Sequence, residues 1–326
     1  MATALRTLQL LPAIPLAPHA TPIDDLARLR TALGPEAPRL LMKRDDVLSF
    51  ACGGNKVRKM QTVAAAARAA GADMLITCGG VQSNHARVTA AVGAVLGMRV
   101  VLVANGAAPA HLTGNARLDA LFGADVRYVA GREQRVPAME AAAAEARAAG
   151  RTPFIVPLGA STALGAAGFA RGVEEVLATP YRPTTIIHST SSGGTQAGLI
   201  IGCALYGLQA RVIGVSADDP SAALADTIAR LLADASVLLG AQLATIGATA
   251  PIEVDDTHVG DGYGIPTRAS VEATELVARS EGIVLDPVYT AKAMAGLIAR
   301  VRAGHWRRDD TVLFWHTGGT PGFFAN

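Results

Sequence analysis

The sequence predicts an α/β protein with parallel twisted sheets covered by helices on both faces, and three observations predict it. Short apolar runs alternate with longer alanine-rich stretches almost throughout the 326 residues. Runs such as Thr184–Thr190 are apolar without alternation, the pattern of a strand buried on both sides. Several runs end in glycine and serine clusters that lead straight into a helical stretch, and open α/β sheets bind ligands at such carboxyl ends.

The expected strands are Arg39–Lys43, Asp73–Thr77, Arg99–Ala104, Asp125–Val129, Pro153–Pro157, Thr184–Thr190, Arg211–Ser216 and Thr311–His316. Between them the spacing and alanine content predict helices over Lys56–Ala70, Asn84–Leu96, Gln134–Ala149, Gly194–Leu205, Ala222–Leu239, Thr267–Ser280 and Ala291–Ala303. This alternation means βαβ units with right-handed crossovers. The length suits roughly two domains. With no repeat and no low-complexity tether, the second domain is expected to be interleaved with the first.

Composition narrows the function. Half the chain is apolar and 17% is charged, enough to bury a large core. A net charge of +2, with no block of like charge, excludes an electrostatic footprint for nucleic acid or an anionic membrane. The positive mean hydropathy of +0.31 comes from alanine, and the longest apolar run, Ala197–Leu208, is shorter than the roughly 20 residues of a membrane span. Cys52, Cys78 and Cys203 are scattered and lack metal-site or disulfide-framework spacing, which suits a reducing compartment. The apolar stretch Leu8–Leu16 is broken by Pro12 and Pro15, so no signal peptide is read there. A soluble, cytoplasmic, metal-free protein is expected.

Six segments could carry chemistry. Ser191–Thr195 (SerSerGlyGlyThr) joins an apolar strand to a helix, where glycine amides and a helix N-terminus favour a phosphate, although a plain capped turn has the same sequence. Gly53–Lys59 (GlyGlyAsnLysValArgLys) puts Lys56 at a helix start, where the dipole disfavours a cation. A desolvated lysine there suits Schiff-base chemistry. On its own the run reads more simply as solvated cations Lys56, Arg58 and Lys59. Gln82–His85 offers Ser83, Asn84, His85 and helix amides to a carboxylate, and Ser83, a catalytic candidate, or His85 could exchange protons. Tyr263 and Tyr289 lie on Gly/Pro-rich loops, and Thr317 ends the last strand in HisThrGlyGly. Together these supply a lysine, a phosphate cradle, a carboxylate cradle, two hydroxyls and a strand-end threonine, the groups that a pyridoxal 5′-phosphate enzyme needs.

Here the chain resembles a known family. LysArgAspAsp (43–46), GlyGlyAsnLysValArgLys (53–59), GlnSerAsnHisAlaArg (82–87), SerGlyGlyThrGlnAlaGly (192–198), AspProValTyrThrAlaLysAla (286–293) and HisThrGlyGly (316–319) look like the D-cysteine desulfhydrase/1-aminocyclopropane-1-carboxylate deaminase family, fold-type-II enzymes that use pyridoxal 5′-phosphate. The resemblance implies that Lys56 carries the cofactor aldehyde and that Asn84 lies by its phenolic oxygen. Gly193, Gly194 and Thr195 would bind its phosphate, and Thr317, with Thr290, would face the pyridine nitrogen. Ser83, Asn84 and His85 would hold the substrate carboxylate, and Tyr263 and Tyr289 would act as acid/base groups. Residues 59–171 would form a small domain inserted in a large one made of 1–58 and 172–326, with the cofactor between them, in a homodimer.

Within that family, Thr290, Thr317 and His85 lean to the desulfhydrase branch, since the deaminase branch carries Glu, Leu and Gln there. A hydroxyl at the ring nitrogen makes a weaker electron sink than a carboxylate, which suits early departure of a good β-leaving group. Cys52, Gln196 and the segment 158–165 depart from the family pattern. The implied reaction is β-elimination from D-cysteine to pyruvate, ammonia and hydrogen sulfide. L-cysteate, other β-substituted alanines and the cyclopropane amino acid are alternative substrates. A non-catalytic protein that binds pyridoxal phosphate or a phosphosugar is the alternative of another class.

Overall fold

A computed structural model describes residues 1–243 and 252–325. Two sheets organise them. The larger has six strands in the order β1-β2-β10-β7-β8-β9: β1 (Ile23–Asp25), β2 (Arg39–Arg44), β7 (Thr185–Thr190), β8 (Arg211–Ser216), β9 (Glu253–Asp255) and β10 (Thr311–His316). All pairings are parallel except that of β1 with β2. The smaller has four parallel strands in the order β5-β4-β3-β6: β3 (Met74–Gly80), β4 (Arg99–Asn105), β5 (Asp125–Val129) and β6 (Pro153–Ile155). Every strand of the smaller sheet falls between the two halves of the larger one in sequence.

The non-alternating strands are apolar because both faces are covered. Along β10, Val312 and Phe314 join the core under the helix Thr290–Arg302, while Leu313 and Trp315 join the opposite core with Phe169 and Leu199. In β3, Leu75 packs toward the helices Asn55–Ala69 and Asn84–Leu96, and Met74, Ile76 and Cys78 pack toward Arg135–Ala148. The edge strands β1 and β9 are not legible as strands, being three residues each with two carboxylates apiece. The N-terminal segment begins with a helix, Ala2–Leu10, whose Ala4 and Leu8 are buried against other helices.

A set of buried charges ties β2 to the helix that starts beside it. Arg58 donates to both carboxylate oxygens of Asp45 at 2.8 Å and to Glu175 at 2.6 and 2.8 Å. Lys43 pairs with Glu175, and Trp315 Nε1 donates to Asp45 at 2.7 Å. Burial alone would raise the Asp45 pKa, but Arg58 and its neighbours hold it below the ordinary carboxylate value. Among the described residues no helix is long and apolar enough to cross a membrane, and no cluster of metal-ligating side chains occurs.

Candidate active site

The carboxyl ends of β3, β7 and β10 open into one cavity of about 520 Å³ between the two sheets. Lys56, Ser83, Asn84, His85, Gly193, Thr195, Tyr263, Tyr289 and Thr317 all line it. Gly194 and Thr290 do not. Gly194 donates its N–H to Ser161 Oγ of the wall at 3.3 Å, and Thr290 is fully buried with its hydroxyl 2.7 Å from Asp286 Oδ1.

Lys56 is the second residue of the helix Asn55–Ala69. Its position depends on two glycine pairs that meet backbone to backbone. A Cβ on Gly318 would fall 2.5 Å from the Cα of Gly54, and one on Gly53 would fall 2.4 Å from the carbonyl oxygen of Asp46. Asn55 N–H then donates to Thr317 O at 2.9 Å, pinning the helix start to the end of β10. The Lys56 amine has no hydrogen-bond or ion-pair partner among the described residues. Burial, and secondarily the Arg87 guanidinium, bring its pKa down to about 8. It is therefore partly deprotonated near physiological pH, and the neutral fraction is the nucleophile.

The simpler reading of Lys56, Arg58 and Lys59 as solvated cations is corrected here, because Arg58 and Lys59 are buried. Lys59 lies one helical turn beyond Lys56, so both face the same side. Its amine donates to Gly159 O at 3.2 Å and Ser161 Oγ at 3.3 Å and has no carboxylate partner among the described residues. Burial holds its pKa far below the ordinary value. It sits against Gly194, whose missing side chain is necessary: a Cβ there would fall 2.6 Å from Ser161 Oγ and 2.9 Å from the Lys59 amine. Gly193 adopts φ +74°, and the helix Gly194–Tyr206 starts directly after it. The Gly193 turn, the start of the helix Gly194–Tyr206 and the buried Lys59 amine stand together, a set that suits an anion, whose charge would favour the protonated form of that amine. Ser161 and Lys59 were absent from the sequence-based set. The one-turn spacing from Lys56 was the signal for Lys59.

On the smaller sheet, Ser83 caps the helix Asn84–Leu96, its Oγ accepting from Ala86 N–H at 3.2 Å. Asn84 Oδ1 accepts from Arg87 at 2.8 Å and from Asn115 at 2.9 Å. Thr77 donates its only hydroxyl proton to Val156 O at 2.7 Å, so it must accept from His85 Nε2, 2.8 Å away. His85 therefore carries its proton on Nε2. Its Nδ1 is buried and unpartnered among the described residues, and burial keeps the ring neutral.

Tyr263 and Tyr289 hydrogen-bond hydroxyl to hydroxyl, their rings edge to face with centroids 5.8 Å apart. Burial raises both pKa values, so both hydroxyls keep their protons at neutral pH. Asp286 fixes Tyr289 by accepting from the backbone of Val288, Tyr289 and Thr290 at 2.8–3.0 Å. Thr317 Oγ1 lies 2.8 Å from Ser189 Oγ at the end of β7. Arg132 and Arg135, which sequence reasoning also missed, bring guanidinium groups to the wall from the smaller sheet. Neither stands in a recognisable motif.

The sequence pattern of a family described as "Pyridoxal-phosphate dependent enzyme" matches residues 14–318. A D-cysteine desulfhydrase of Salmonella schwarzengrund (strain CVM19633) is 38% identical over 326 residues, covering 96% of each chain. A D-cysteine desulfhydrase of Salmonella typhi is 37% identical over 322 residues, again covering 96% of each. A crystal structure of an "ACC deaminase homologue" superposes with a TM-score of 0.91 at 32% identity, covering 99% of this chain and 97% of that one.

Proposed function

The chain belongs to the pyridoxal-phosphate-dependent enzymes and is a lyase of that family; we propose that it removes the β-substituent of a small amino acid, with D-cysteine as substrate and pyruvate, ammonia and hydrogen sulfide as products. The observation that carries this reading is the unpartnered Lys56 amine in one cavity with an anion cradle on each side and a protonated tyrosine pair. The relatives named for D-cysteine support the choice of substrate.

The residues present fit the cofactor, since a buried amine with no carboxylate partner among the described residues stands beside a glycine turn and a helix N-terminus, where a phosphate charge would favour its protonated form. Lys56 would hold its aldehyde, Gly193, Gly194, Thr195 and Lys59 its phosphate, and the Ser189–Thr317 hydroxyl pair its ring nitrogen. Thr290, bound to Asp286, would act by holding the Tyr289 turn. When bound, pyridoxal phosphate supplies the electron sink for charge developing at the substrate's Cα. Ser83, Asn84 and the amides at the helix start would orient the substrate carboxylate. The neutral His85, an acceptor only at Nδ1, adds no charge there. Lys56 Nζ would take the Cα proton. The Tyr263–Tyr289 pair would hold the proton needed at the leaving sulfur.

A hydroxyl pair where the deaminase branch has no threonine favours β-elimination over opening of a cyclopropane ring. Residues 59–171 are read as an inserted domain and the enzyme as a cytoplasmic homodimer, in line with the family resemblance and three free cysteines. The test is a product assay on pyridoxal-phosphate-loaded protein with D- and L-cysteine. Pyruvate and sulfide together from the D-isomer support the proposal. Neither product from D-cysteine, with pyruvate released from another β-substituted alanine, moves the substrate elsewhere.

A further inference from the structure

A second cavity, of about 200 Å³, lies between the strands β3, β4 and β5 and the helix Gly114–Leu121, and it shares Gly80 with the larger one. Ala86, Ala104 and Ala116 are buried on its lining, while Leu112 and Tyr128 line it from the exposed side. Among the described residues Asp119 is the one charged side chain on this lining. It is 4% exposed and makes no side-chain hydrogen bond or ion pair with any described residue, and its Oδ1 is buried without a partner. Asp119 also stands in the last turn of its helix, where the dipole disfavours a negative charge. Burial lifts its pKa to about 7, against the pull of the Arg87 guanidinium. Arg87 itself is engaged elsewhere, donating to Asn84 Oδ1, Asn115 Oδ1 and Gly53 O at 2.7–2.8 Å.

A buried carboxyl without a partner is unfavourable, and a cationic donor offsets that with one charge-assisted hydrogen bond. Apart from the Tyr128 hydroxyl, the other side chains on the lining are apolar. An engineered apolar cavity of about 150 Å³ takes up benzene, so this one has room for a ring or branched chain with one head group. An amino acid does not suit it, because no cation among the described residues lines the cavity to receive a carboxylate. We propose that this cavity binds a small ammonium ion with an apolar body, its N–H donating to Asp119, at a site separate from the reaction. Asp119 lies one helical turn from Asn115, whose side-chain amide donates to Asn84 Oδ1 and Gln82 O at 2.9 Å. The occupant thus rests on the helix that holds Asn84 in the wall of the larger cavity.

The experiment is calorimetry on pyridoxal-phosphate-loaded wild type, Asp119→Asn and Ala116→Leu. The probes are dimethylbenzylamine, a tertiary amine that cannot condense with the cofactor aldehyde, and benzyl alcohol, which has the same ring without the charge. Wild type is expected to bind the amine at one saturable site, and more tightly than the alcohol. Asp119→Asn should weaken the amine by about tenfold or more, the loss of one charged hydrogen bond, and leave the alcohol little changed. Ala116→Leu should abolish binding of both by filling the space, with a thermal melt to show that it folds. One variant removes the charge and keeps the room, and the other does the reverse, so a folding failure in either leaves the second decisive. Amine affinity should rise with pH and level off above about 7, because Asp119 must ionise to pair with a cation. The titratable groups facing Asp119 are Tyr128 of β5 and Arg87 of the helix Asn84–Leu96, the latter still charged there with a pKa of about 10. The proposal is overturned by no saturable binding to wild type, by equal amine affinity in Asp119→Asn, or by amine binding that survives Ala116→Leu. Amine affinity that falls as pH rises through about 7 overturns it as well.

Discussion

The amine of Lys59 stands 2.9 Å from the point where a methyl group on Gly194 would sit, with no carboxylate to neutralise it among the described residues. A buried amine held far below its ordinary pKa destabilises the cofactor-free protein at neutral pH, because the unfolded chain binds a proton that the folded chain does not. Lys59→Met should therefore raise the melting temperature of the cofactor-free protein while weakening pyridoxal phosphate binding by about tenfold or more. Thermal melts and a cofactor titration read the two effects. Unchanged cofactor affinity would remove Lys59 from the phosphate site.

Lys56 loses its proton as pH rises through about 8. The rate of cofactor uptake by cofactor-free protein should climb with pH and level off above that value, since only the neutral amine attacks an aldehyde. Stopped-flow absorbance across the pH range measures this. Lys56→Ala should abolish both the bound-cofactor absorbance and the activity, and a coloured, active variant would sink the assignment.

Tyr289→Phe keeps the ring packing and removes one hydroxyl of a hydrogen-bonded pair. Elimination should slow by about 10²–10⁴-fold, the range for a lost general acid or base, with cofactor absorbance retained. Tyr263→Phe tests the other hydroxyl. The larger loss in kcat identifies the group next to the departing sulfur, and full activity in both variants would rule out the pair.

Arg58 bridges the buried Asp45 and the half-buried Glu175, so Arg58→Met should cost about 3–5 kcal/mol in urea unfolding, chiefly by leaving Asp45 buried without its guanidinium partner. Asp45 has a folded-state pKa below its unfolded value. Its contribution is thus present above the unfolded pKa and fades as pH falls through the folded one. Acid titration should show wild type losing stability in that window, with Asp45→Asn flatter there. A flat wild-type profile would count against the network.

Much of this site is legible in the sequence because its motifs are turns. The segments 53–59, 82–85, 191–195 and 316–319 each announce a chain reversal next to a strand, and parallel sheets bring such reversals to a common edge. What is not legible is burial. Nothing in the run LysValArgLys distinguishes Lys56, which faces the cavity, from Arg58, buried on a carboxylate pair, or Lys59, buried under a glycine loop. Those fates are set by Glu175, Ser161 and Gly194, distant in sequence. Arg135, which donates to Asn105 Oδ1 at 2.8 Å, fails to register for the same reason: their meeting is decided by the order of strands in the smaller sheet. Thr290 shows the converse, a motif residue whose hydroxyl is used by its own turn.

The backbone contact between Gly54 and Gly318 has a consequence in time. The turn that aims Lys56 is synthesised long before the surface it rests on, which directly follows β10, the strand that enters the sheet between β2 and β7. A nascent chain can complete its smaller sheet long before it owns an oriented lysine. A chain truncated before β10 lacks the backbone that orients Lys56 and is expected not to retain pyridoxal phosphate.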